Sequence, residues 1–179
     1  MKKNNIENPP EPSEERDFSE FFKDNEWELP TDFGVIDPAH DAMHERLIAQ
    51  GWEEEEAFHV SLGLREAIVN AIVHGNLEIE ASEDQDTNWS DKIHKKLKES
   101  PTGKKIRVKI SFPKQDEVEV RVRDEGKGFD HKTVLDPTHG EGLEKTIGRG
   151  LAVMQNYFDT VEFDHDGSEV ILKKKMAKE

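Results

Sequence analysis

The 179-residue chain contains no cysteine. Disulfides, zinc–thiolate sites and thiol catalysis are therefore excluded. It has no run of apolar residues long enough to span a membrane. Its opening, MKKNNIENPPEPSEERD, carries two lysines with no apolar stretch behind them, so no signal peptide is expected. Aromatic residues make up only 7% and hydrophobic residues 33%, against 36% charged. The core is modest, and part of the chain is expected to stay unpacked. Positive charge is also short: 25 Lys and Arg face 40 Asp and Glu, a formal net charge of -15. Phosphate backbones and anionic membranes repel such a molecule, so neither direct nucleic-acid nor membrane binding is expected. The locally basic stretch from Lys92 to Lys109 is a solvated face on this reading. No GxxxxGK[ST] run occurs, which excludes a P-loop. A cytoplasmic protein is the simplest class these absences leave.

Residues 1–25 are rich in Pro, Glu and Asn and predict a disordered tail, with Phe18, Phe21 and Phe22 placed to form a short docking helix. Residues 26–179 predict one domain. A first strand surrounds Trp27 in EWEL and ends at Pro30. DPAHDAMHERLIAQG has the Asp-Pro start and the terminal glycine, Gly51, of a helix. EEEEAFHVSLGLREAIVNAIVHGN predicts a long helix with acids in its first turn and Gly75 near its end. Residues 79–103 depart in composition and predict an insertion carrying a short amphipathic helix in WSDKIHKKLKES. KIRVKISF and EVEVRVRD then predict two strands joined through PKQDE. A loop over 129–147 precedes a helix in GRGLAVMQNYF and a closing hairpin in TVEFDHDGSEVILKKK. There are no internal repeats. Helices and antiparallel strands in blocks predict an α+β two-layer sandwich, with helices on one face of a mixed, mostly antiparallel sheet.

Three stretches carry chemistry. On the long helix Glu66, Asn70 and His74 follow at i, i+4 and i+8 and form one stripe. Apolar residues cover most of the remaining circumference, so the helix is buried. The stripe is then either wet in a cleft or paired with a structural partner. In EVEVRVRD the residues Val118, Val120 and Val122 share the buried row, and the next residue in that row is Asp124. Gly126 and Gly128 follow it. Either this is a simple Asp/Gly turn, or an acid aimed inward meets a ligand whose approach the glycines permit. Lastly, GRGL, with Gly148, Arg149, Gly150 and Leu151, opens a helix whose free backbone amides suit an anion.

Glu-x-x-x-Asn on a helix, Asp-x-Gly-x-Gly after a strand, and Gly-x-Gly before a helix stand in an order that resembles the three boxes of the GHKL (Bergerat-fold) ATPase superfamily. LREAIVNAIVHGN and GRGLAVMQNYFDTVEF are most similar to the anti-sigma-factor serine/threonine kinases, and the resemblance runs from Trp27 to Lys175. It implies a histidine-kinase-like fold that binds ATP with magnesium. Asp124 would accept from the exocyclic amine of adenine. Asn70 would hold magnesium, His74 would be among the nucleotide-binding residues, and Glu66 would be the general base. Gly148, Arg149, Gly150 and Leu151 would wrap the phosphates under a lid over 129–147, and Ser168 would lie near the adenine. The implied partners are an anti-sigma-factor antagonist, as phosphorylation substrate, and a sigma factor, with a homodimer as the assembly.

Two departures from the family stand out. The stretch over 79–103 is longer than compact members carry, which suggests a docking insertion. An arginine commonly precedes the glycine pair, whereas here Lys145 lies nearby and Arg149 sits between the glycines. The alternative function is an ATP-dependent binding module that sequesters a partner without turnover. The ATP-binding half of a histidine kinase fits less well, since no helical hairpin with a phosphoacceptor histidine precedes the domain.

Overall fold

In the computed structural model the described residues are 16–79, 89–99, 101–129 and 148–178. The strands are β1 (Glu26–Pro30), β2 (Lys105–Lys114), β3 (Glu117–Arg123), β4 (Thr160–Asp164) and β5 (Glu169–Lys175). They form one sheet in the order β1-β2-β3-β5-β4. Every pairing among them is antiparallel, the orientation expected to dominate. The helices are α1 (Ile36–Ala49), α2 (Glu54–Asn70), α3 (Trp89–Glu99) and α4 (Gly148–Tyr157).

The sheet buries one face because its strands alternate. Trp27 and Leu29, then Ile106, Val108 and Ile110, then Val118, Val120 and Val122 are all buried, and Val170 and Leu172 continue the layer. Against them lie Met43 and Leu47 of α1, Leu64 and Ile68 of α2, and Leu151 and Met154 of α4. The opposite face carries Glu28, Arg107, Lys109 and Arg121 and has no helix on it among the described residues. This is the two-layer α+β sandwich expected from the blocks of periodicity.

Local signals are obeyed where the backbone demands them. Gly51 has φ 88 and terminates α1 in the left-handed conformation that glycine adopts without cost. Between α2 and the end of α4 a different glycine works by size: a Cβ on Gly63 would stand 2.3 Å from Phe158 Cε2. The β2–β3 hairpin is tighter than the predicted PKQDE loop. Both strands extend into it, leaving a turn at Gln115 and Asp116, and the register shifts between Ser111 and Lys114. Pro113 lies in that irregularity, where its missing N–H costs no ladder bond.

The tail predicted over 1–25 does not stay unpacked at its inner end. Ser19–Phe22 forms a short 3-10 helix, Phe22 is buried, and its ring meets Trp27 edge-on at 4.9 Å. Arg46 of α1 fixes the turn by donating from Nη2 to the carbonyls of Phe22 and Asp24. Residues 1–15 lie outside the described residues. Within the expected insertion, α3 is the amphipathic helix, and its Ile93 and Leu97 pack against the core. No helix among the described residues is long and apolar enough to cross a membrane.

Candidate functional site

A cleft of about 560 Å³ opens between α2 and its continuation, the ends of β3 and β5, and α4. That is within the range of about 300–1,000 Å³ usual for small-molecule sites. Asn70, His74, Asp124, Gly128 and Ser168 all line it, together with apolar Val122, Met154, Phe163 and Val170.

The sequence predicts one α-helix running to Gly75. Instead α2 closes at Asn70 and the chain continues as a π-helical turn over Ala71–Asn76. Such turns add a residue to the local winding and recur at functional sites. Here the turn changes what Gly75 does. It is not a stop signal: a Cβ on it would lie 2.3 Å from Asp124 Cγ and 2.5 Å from Oδ2. Gly126 answers from the other side, since its Cβ would stand 2.3 Å from the Gly75 carbonyl oxygen. The absence of two side chains thus lets the π turn press against the loop that follows β3. Gly128 has φ 75, and a Cβ there would meet Asp166 O at 2.0 Å.

Asp124 is seated by this packing. Its backbone N–H donates to Ser168 O at 2.9 Å, and its Oδ1 accepts from Gly126 N at 2.8 Å. Burial pushes its carboxyl up to about 6, against the Gly126 N–H and the positive charges of Lys104 and Arg123, which favour the anion. Asp124 therefore continues the row of Val118, Val120 and Val122, but where that row leaves the core and enters the cleft.

His74 donates from Nδ1 to the carbonyl of Ile79 at 2.7 Å, because a carbonyl can only accept. Burial lowers its pKa, with the Ile79 carbonyl acting in the other direction, which favours the neutral ring. Ser168 is buried, and its hydroxyl donates to His165 O at 2.9 Å.

At the far end Glu66 and Asn70 converge on the first turn of α4. A Cβ on Gly150 would stand 3.1 Å from Asn70 Nδ2, 3.2 Å from its Oδ1 and 3.2 Å from Glu66 Oε2. Gly148 and Arg149 occupy the first positions of that ten-residue helix, whose N-terminal amides have no intrahelical partner. The Leu151 side chain is fully buried in the core, so its predicted contact with the phosphates falls to its backbone. The oxygens of Glu66 and Asn70 are the donor type a hard divalent cation such as magnesium takes. The predicted lid over 129–147, including Lys145, lies outside the described residues apart from Phe129.

One residue that holds the site together was not singled out by sequence reasoning. Asn76 is 4% exposed. It donates to Thr31 Oγ1 at 2.9 Å and to Lys105 O at 3.1 Å, while its Oδ1 accepts from Glu125 N at 2.7 Å. A single carboxamide so ties the π turn to the ends of β1 and β2 and to the residue after Asp124. Its position directly after Gly75 was the available signal, and there it passes for an ordinary helix-end residue.

Residues 30–174 match the family model described as the histidine kinase-like ATPase domain. No curated protein matches the chain.

Proposed function

The chain belongs to the histidine kinase-like ATPase domain family, and from that premise we propose that it is an ATP-dependent protein serine/threonine kinase of the anti-sigma-factor type. Membership implies that the cleft takes ATP. The observation that carries the finer reading is the meeting of Glu66 and Asn70 at Gly150, with Asn70 and Asp124 both lining the cleft. A nucleotide laid along it has its base at Asp124 and its phosphates at the amides of Gly148, Arg149 and Gly150.

At the base end, the exocyclic amine of adenine donates to the Asp124 carboxylate. Guanine would present a carbonyl there, and two acceptors repel. At the phosphate end, Asn70 Oδ1 would hold magnesium, which would supply positive charge against the phosphates. Glu66 lies one helical turn away, within reach of a hydroxyl brought to the same place. The serine or threonine oxygen of the partner attacks the γ-phosphorus, the bond to the ADP oxygen breaks, and Glu66 takes the hydroxyl proton. His74 lines the wall of the same cleft. The partner on this reading is an anti-sigma-factor antagonist, with a sigma factor as the protein sequestered and a second copy of the chain completing the assembly.

Incubation with labelled ATP, magnesium and candidate antagonist proteins tests this reading. Transfer of label to a serine or threonine of the antagonist is the expected result. ATP binding with no transfer to the true partner would identify a sequestering switch module instead.

A further inference from the structure

On the face of the sheet opposite the core helices, the β4–β5 turn gathers a second set of ligand-type side chains. Asp164 ends β4, Glu169 begins β5, and the two are direct cross-strand partners. Like charges placed opposite each other destabilise a sheet. His165 follows Asp164, and one ligand atom from each of Asp164, His165 and Glu169 lies within 4.8 Å of the others.

Two features separate this group from an ordinary charged turn. The Glu169 side chain is only 10% exposed, and its Oε2 is buried with no hydrogen-bond partner. A buried carboxylate oxygen is normally supplied with a donor or a metal. His165 Nε2 stands 3.5 Å from that same oxygen. Such a separation is too long for a good hydrogen bond. It suits two ligands of one ion: with bonds of about 2.0–2.2 Å it corresponds to an angle of about 110°, close to tetrahedral. From β3, Arg121 Nη1 forms a long ion pair with Oε2 at 3.8 Å, while its Nε donates to Glu119 Oε1 at 2.7 Å. Arg123, also on β3, is the direct cross-strand partner of Glu169.

We propose that the β4–β5 turn binds a divalent transition cation of the zinc class through Asp164, His165 and Glu169. One imidazole nitrogen and two carboxylates form a donor set for zinc or cobalt, and the exposed side of the turn leaves the fourth position to water. Magnesium is a poorer match, because it takes oxygen ligands. The site is separate from the Glu66–Asn70 end of the cleft and does not depend on what occupies it. It does share a wall with the cleft: Asp166 O accepts from Phe129 N at 3.0 Å, and Ser168 O accepts from Asp124 N at 2.9 Å. A cation on the outer side of the turn therefore steadies residues that line the cleft on the inner side.

Cobalt(II) titration of the tag-free, nucleotide-free full chain, followed by visible absorption, tests the site. The wild type takes up one cobalt with tetrahedral d–d bands, and zinc displaces it. His165 has φ 50, so His165→Asn removes the imidazole while keeping a residue that tolerates left-handed backbone. That variant and Asp164→Asn each weaken binding by at least about tenfold, with unchanged circular dichroism. No cobalt uptake by the wild type, or equal affinity in both variants, overturns the proposal. So does binding abolished by His40→Ala with His44→Ala, because that places the ion on α1, where these rings stack.

Discussion

The two ends of the cleft are built by different means. At the Asp124 end the backbone does the work: Gly75, Gly126 and Gly128 each sit where a Cβ would fall within 2.3 Å of another atom. Asn76 then locks the strand ends around them. At the Glu66–Asn70 end, side chains from one helix face approach another helix at Gly150, where the nearest atom to an added Cβ is a looser 3.1 Å away. Close packing fixes a shape, which suits recognition of one flat base. Polar groups on opposing helices fix a charge distribution, which suits phosphates whose charge changes during reaction. Recognition and chemistry should therefore respond to different substitutions.

The largest effect is expected at the polar end. Glu66→Gln keeps shape and hydrogen-bonding capacity but removes the base. It should lower phosphoryl transfer by roughly 10²–10⁴-fold while ATP affinity stays near wild type. Asn70→Ala should instead impair magnesium-dependent binding and transfer together. Single-turnover assays beside calorimetry separate the two, and wild-type transfer by Glu66→Gln would remove Glu66 from the role of base.

Gly75→Ala attacks the packed end. The new methyl meets Asp124 and must push the π turn away from it, at a cost of about 1–3 kcal/mol in stability. Nucleotide affinity should fall as well, with Glu66 and Asn70 untouched. Chemical denaturation and calorimetry measure the pair of losses. An alanine variant of normal stability would mean the two walls give way easily.

Asp124→Asn should weaken ATP binding by about 1–3 kcal/mol, the scale for a badly paired buried group, and reduce the preference over GTP. Acidity sharpens the assignment. The Asp124 carboxyl rises from 3.8 to about 6 in the folded protein. The folded state therefore holds this proton more tightly than the unfolded chain. The stability it lends is complete below about pH 4 and is lost as pH rises through about 6. Subtracting the Asp124→Asn stability curve from that of the wild type should leave a fall across that window. Adenine binding has the opposite sign, because the amine needs the anion: wild-type ADP affinity, relative to the variant, should drop below about pH 6. A flat difference in both measurements would show that Asp124 is not the titrating group.

The smallest effect is expected outside both ends. Deleting residues 80–100 removes α3, whose Ile93 and Leu97 are only partly buried against the core. ATP binding should change by no more than about twofold, while partner choice alters. Loss of folding by circular dichroism would make α3 part of the core.

The layers and much of the polar stripe follow from local periodicity alone. Period-two alternation in β2 and β3 and the apolar girth of α2 required a sheet with helices on its buried face. The stripe of Glu66, Asn70 and His74, and Asp124 at the end of a buried row, announced polar groups with no ordinary place in a core. These are local properties, set by the direction in which consecutive side chains point. Only the tertiary structure decided the rest. Gly75 looked like a helix end, yet its missing side chain matters because Asp124, from a distant strand, fills that space. Asn76 binds three segments far apart in sequence, and no periodicity encodes such a contact. The π turn lies in a stretch whose spacing suits an α-helix equally well. Its winding accompanies the packing of Asp124, Gly126 and Thr31 around it, because hydrogen bonds and close contacts between distant residues outweigh a local preference worth less than about 1 kcal/mol per residue.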